Sequence, residues 1–172
     1  MYVVFSENNH VQATEKLAVE GAVRAFSATI DIAAPPAEVW AILTDLGRYR
    51  EWNPLFVEAA GDVAVGQRIR LRSRHPANGR LMTVKPKIIV VEPGTELRWA
   101  SSLPGIISGE HGFTLSAADG GTRLVQAETF RGLLAGFPGK TWANADASFR
   151  ALNEALKERA EARADRPAGP AS

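Results

Sequence analysis

The sequence predicts an α+β fold in which an antiparallel β-meander precedes a long C-terminal helix. Three observations predict it. Residues 55 to 131 break into short runs of alternating polarity, punctuated by the turn signals DVAVGQ, HPANGR, EPGT and ADGGT. Near the C-terminus, Trp142, Ala145, Phe149, Leu152 and Leu156 fall at spacings of 3, 4, 3 and 4, one apolar stripe of a helix whose other faces carry Lys157, Glu158, Arg159 and Glu161. The third is size: 172 residues, 45% of them hydrophobic, suit one domain able to bury a core large enough to enclose a cavity.

Residues 1–21 are mixed in character and read as an N-terminal extension, and ADRPAGPAS (164–172) reads as a flexible tail, leaving a single domain over 22–163. Within it, FSATIDI is a first strand. APPAEVWAILTDLG follows as a helix: proline stands at its start, Val39, Trp40, Leu43 and Leu46 keep helical spacing, and Gly47 can end it. RYREWNP is a short turn or helix stopped by Asn53 and Pro54. The stretch 55–131 then reads as six strands in sequence, and the terminal helix packs its stripe onto them. The chain contains no internal repeat.

Composition excludes several function classes. With 20 Lys plus Arg against 19 Asp plus Glu, no overall field attracts nucleic acid. Cysteine is absent, which removes disulfides and thiolate chemistry and agrees with a reducing compartment. The three histidines, His10, His75 and His111, do not provide a histidine-rich metal site, so neither a metal nor a cofactor is expected. No basic leader with an apolar core opens the chain, and no apolar run approaches the roughly 18 residues of a membrane span, so a soluble cytoplasmic protein is expected.

Turn positions fix which residues share a face, because side chains alternate along a strand. In RIRLRSRH (68–75), four arginines hold one parity and Ile69, Leu71, Ser73 and His75 the other. A loop at Pro76 to Gly79 sets His75 opposite Arg80, Ser73 opposite Met82, Leu71 opposite Val84 and Ile69 opposite Pro86. The opposite face then collects Arg68, Arg70, Arg72 and Arg74 with Lys85 and Lys87, an arrangement of like charges suited to water or to an anionic partner. Glu58 on the preceding strand partly neutralises it. Aromatic residues do not interleave with this row, so it offers no stacking platform for nucleic acid. Around Pro93 and Gly94, Val90 pairs with Leu97 and Ile88 with Trp99.

The ADGG turn is the most informative. A two-residue Asp119-Gly120 loop and a four-residue Ala118 to Gly121 loop both place Ala117 opposite Thr122, hence Leu115 opposite Leu124, Phe113 opposite Gln126 and His111 opposite Glu128. Directly opposed side chains start about 5 Å apart, so the imidazole and the carboxylate can hydrogen-bond on the apolar face. Such a pair can move a proton, hold a polar ligand group, or simply satisfy itself in the interior.

IDIAAPPAEVWAILTDLGRYREWNP (30–54), the GQRIRLR and GEHGFTL strands, GGTRLVQAETFRG (120–132) and the long terminal helix resemble the SRPBCC, or START-like, superfamily, in its polyketide cyclase/dehydrase and lipid-transport-like branch. The likeness spans about residues 24–160. It implies a helix-grip fold, a curved antiparallel sheet wrapped around the C-terminal helix with two short helices after the first strand. It also implies an apolar cavity between sheet and helix that binds lipids, polyketides or other hydrophobic compounds; a minority of members catalyse cyclisation or dehydration there.

The residues expected to line such a cavity are Trp40, Leu71, Val84, Ile88, Trp99 and Phe113, with Leu115, Phe149 and Leu152. Its polar candidates are His111, Glu128, Gln126, Ser73 and His75, with Ser101 at the margin. There is no nucleophile elbow, phosphate-cradling glycine loop or metal-ligand spacing. Three functions follow as expectations: binding of a small hydrophobic molecule; a cyclase or dehydratase using His111 and Glu128 as acid and base; and contact with a protein or anionic surface through the arginine and lysine face.

Overall fold

The computed structural model describes residues 22–74, 79–136 and 145–165; the expected N-terminal extension, His75, Trp142 and residues 166–172 of the expected tail lie outside them. In chain order the elements are β1 (Val23–Ile32), α1 (Pro36–Thr44), a 3-10 turn (Leu46–Glu51), β2 (Phe56–Ala60), β3 (Arg70–Arg74), β4 (Leu81–Val84), β5 (Lys87–Glu92), β6 (Glu96–Leu103), β7 (Ile107–Ala118), β8 (Gly121–Arg131), a second 3-10 turn (Leu133–Gly136) and α2 (Ala145–Ala164). The strands are antiparallel and form a five-stranded sheet, β1-β8-β7-β6-β5, and a three-stranded sheet, β2-β3-β4. This is the helix-grip arrangement, with two short helical turns after β1 and α2 packed against β1 and β8.

Seven strands, not six, occupy 56–131. Pro86 divides the run 81–92: it has no N–H to donate, and the chain bends there from β4 into β5. The two sheets join at this bend through an isolated bridge between Arg68 and Lys87 and through the Ile69 N–H, which donates to the Pro86 carbonyl at 3.1 Å.

The registers expected for Ser73 with Met82, Leu71 with Val84 and Ile88 with Trp99 are all present. One is shifted. Val91, not Val90, opposes Leu97, because the β5 ladder is irregular between Ile88 and Val90; an extra residue there moves the later partners along by one.

Helix α1 starts at Pro36, where a missing N–H costs nothing, and buries Val39, Ile42 and Leu43. It stops at Thr44, before the expected glycine end, and Leu46 to Glu51 tighten into the 3-10 turn. The Tyr49 hydroxyl donates to the Leu43 carbonyl at 2.7 Å, satisfying one of the carbonyls that the helix end leaves free. Asn53 Oδ1 then accepts from the N–H groups of Leu55 and Phe56 at 3.0 and 2.8 Å, turning the chain into β2.

Helix α2 buries Phe149, Leu152, Asn153, Leu156 and Ala160. Each large apolar side chain on this face contributes about 1.5–3 kcal/mol when fully buried. Polar contacts set its height over β1: Lys157 Nζ donates to the Asp31 carbonyl at 2.9 Å, and Glu161 Oε1 accepts from the Ala33 N–H at 2.8 Å.

Candidate ligand-binding site

The β7/β8 hairpin closes through Asp119 and Gly120, the latter at φ 79°, and its ladder sets His111 opposite Glu128 and Phe113 opposite Gln126. His111 is 2% exposed. Its ring lies parallel to Trp99 at 5.0 Å, with Phe56, Phe113 and Phe149 at 5.8, 5.0 and 5.4 Å, so β2, β6, β7 and α2 all contribute to its cage. Both ring nitrogens are engaged. Nδ1 lies 3.3 Å from Glu128 Oε2, and Nε2 lies 3.2 Å from Gln126 Nε2. An amide NH2 can only donate, so Nε2 accepts and Nδ1 carries the proton that Glu128 receives. The imidazole thus has no free nitrogen to offer a reacting group.

The same contact leaves Gln126 Oε1 buried without a donor among the described residues. A second orphan stands nearby. Asn153 on α2 donates through Nδ2 to the Ala28 carbonyl at 3.4 Å, Ala28 pairs directly with Gln126, and Asn153 Oδ1 is likewise buried with no donor among the described residues. Between β1, β8 and α2, two amide oxygens therefore call for hydrogen-bond donors among apolar neighbours. A buried polar atom left unpaired costs about 1–3 kcal/mol.

The other expected residues divide between regions. Leu71, Ile88, Trp99, Phe113, Leu115 and Leu152 sit in the main core cluster, with Trp40 and Val84 packed half-buried against it, and Phe149 joins Phe26 and Ala28 in a second cluster. Ser73 is half-buried on β3. Asn153 was missed from the sequence, although its signal was present: it sits between Phe149, Leu152 and Leu156 on the apolar face, where an amide has no evident reason to be. Phe56 was missed because nothing in a five-residue strand after a turn tells which ring it will meet.

A second feature lies where the sheet divides. Strand β6 pairs with β5 only as far as Ala100, opposite Lys87, but with β7 as far as Leu103, opposite Ile107. Because β4 has turned away at Pro86 to pair with β3, a groove of about 740 Å3 opens between β4 and the end of β6. Val84 and Ser101 line it, together with Phe130, Met82 and Leu103. Of the arginine row, Arg70 and Arg72 share Glu58 at 3.0 and 3.4 Å, and the Arg68 guanidinium donates to the Lys85 carbonyl at 2.9 Å.

A curved antiparallel framework gripping one long helix defines the helix-grip class of proteins. The chain belongs to the family described as polyketide cyclase/dehydrase and lipid transport, which it matches over residues 24–161. Comparison with curated protein sequences gives no significant match. Among solved structures, a protein from Mesorhizobium loti aligns with TM-score 0.63 at 21% identity, over 83% of this chain and 100% of its own. A START superfamily protein from Mycobacterium smegmatis aligns with TM-score 0.64 at 17% identity, over 81% of this chain and 98% of its own. The di-domain ARO/CYC protein StfQ of the steffimycin biosynthetic pathway aligns with TM-score 0.66 at 14% identity, over 84% of this chain and 53% of its own. At such identities the likeness establishes the fold. Among the described residues no helix is long and apolar enough to cross a membrane.

Proposed function

We propose that the protein binds a small, mostly apolar molecule bearing hydroxyl groups, held between the five-stranded sheet and α2, and that it does so in the cytoplasm. The observation that carries this reading is the pair of orphaned amide oxygens, Gln126 Oε1 and Asn153 Oδ1, beside the aromatic cage of His111. A ligand hydroxyl supplies the missing donor, and the surrounding Phe26, Phe149 and Trp99 supply contact for an apolar body. Binding is favoured over acid-base chemistry because both nitrogens of His111 are already committed; in a catalytic reading, Glu128, whose side chain is 22% exposed, is the group that reaches a substrate. Membership of a family named for both cyclases and lipid transport agrees with either use of one interior.

Thermal-shift titration with 2-naphthol and 2-methoxynaphthalene tests the reading. The two differ in the ability to donate a hydrogen bond. The naphthol is expected to stabilise the protein and its methyl ether to do so much less, with the difference abolished in Gln126→Leu. Equal shifts, or none with either compound, overturn it.

A further inference from the structure

The cations around the groove between β4 and β6 are not compensated as their neighbours are. Arg70 and Arg72 share Glu58, but Lys85, Lys87 and Arg131, which line the groove, have no carboxylate partner among the described residues. Glu110 is the acid in the groove wall, and it is already taken: Arg98 Nη1 holds it at 2.8 Å while pairing also with Glu96. The groove therefore carries local positive charge on a chain that is nearly neutral overall. Its other surface is apolar. Met82, Ile89 and Leu103 are 42%, 36% and 55% exposed there, and Val84 and Phe130 are half-buried beside them. Clustered large apolar side chains left in water beside unpaired cations fit an occupant with an apolar body and an anionic head. The volume of about 740 Å3 lies in the range of small-molecule sites and is concave, which suits one molecule better than a flat membrane surface.

We propose that this split in the sheet is a second ligand site, separate from the interior, which takes a single amphiphilic carboxylate. The apolar chain lies along Met82, Val84, Leu103 and Phe130, and the carboxylate sits among Lys85, Lys87 and Arg131. The site exists because of Pro86. Were β4 to continue straight from β5, it would pair along Ser101 to Leu103 and close the groove.

Decanoate and 1-decanol, titrated below their aggregation and solubility limits into isotope-labelled full-length protein and followed by amide chemical shifts, test this. Decanoate is expected to perturb Ser101 to Leu103 and Thr129 to Arg131, to bind at least about tenfold more tightly than the alcohol, and to weaken as salt rises from about 0.05 to 0.5 M, where the screening length falls from over 10 Å to under 5 Å. The exposed double variant Lys87→Glu/Arg131→Glu should lose at least about tenfold in decanoate affinity. The neutral pair Lys87→Gln/Arg131→Gln should lose less, and Arg70→Glu/Arg72→Glu should retain wild-type affinity. Equal binding of acid and alcohol, unchanged affinity in the Lys87/Arg131 variants, shifts confined to the surroundings of Gln126 and Asn153, or no binding at all each overturn the proposal. Because 2-naphthol is uncharged near neutral pH, failure of the groove site and failure of the interior site are read separately.

Discussion

At the scale of single residues, His111 is fixed by its partners more than by its position on a strand. The contact to Glu128 was legible because a two-residue turn sets parity over the whole β7/β8 ladder. The contact to Gln126 was not, since Gln126 opposes Phe113 and reaches His111 only through its side-chain conformation. Glu128→Gln keeps an acceptor for the Nδ1 proton, so urea denaturation should show a loss of no more than about 1 kcal/mol; Glu128→Leu leaves that buried donor unpaired and should cost about 1–3 kcal/mol. Tyr49 provides a pH test. Burial, and secondarily the charge of Asp45, push its phenol above the ordinary value of about 10. The folded state thus holds this proton more tightly than the unfolded chain does. The resulting stability is fully present below pH about 10 and is lost as the pH rises beyond it. Tyr49→Phe removes the bond to the Leu43 carbonyl and should cost about 1 kcal/mol at neutral pH, but its melting temperature should fall less steeply above pH 10.

At the scale of elements, the stripe of α2 was readable from spacing alone, and its polar member Asn153 is the residue that the proposed interior site draws on. Phe149 links the clusters, touching Phe26 at 6.4 Å and His111 at 5.4 Å between ring centres. Phe149→Ala should cost about 3–5 kcal/mol in denaturant titration. Gly121 begins β8 so close to the end of β1 that an added Cβ would lie 2.0 Å from the Ile32 carbonyl oxygen. That neighbour is backbone and cannot swing aside. Gly121→Ala should destabilise by about 1–3 kcal/mol or more, with protection from hydrogen exchange lost first along β1 and β8. The irregularity between Ile88 and Val90 was invisible in sequence because both registers bury apolar residues. Pro86, by contrast, was visible, but whether a proline ends a strand or bends one depends on where the neighbouring strand stops.

At the scale of the whole molecule, the order of elements and the packing of α2 onto the strands followed from turn signals and helical periodicity, which act locally, whereas the wrapping of the sheet around α2 was implied by the family resemblance. The division into two sheets did not, since it depends on β6 pairing farther with β7 than with β5. That division makes the outer basic strip unequal: Glu58 pairs with Arg70 and Arg72 of β3, and Lys85, Lys87 and Arg131 at the groove stand without such a partner among the described residues. Whether the interior between the five-stranded sheet and α2 holds a ligand is read by native mass spectrometry of the full chain purified under mild conditions. The expected result is a bound organic compound that carries hydroxyl groups, is extracted by organic solvent and is lost in Gln126→Leu. Protein that flies at its bare mass, or an adduct retained unchanged by that variant, would contradict it.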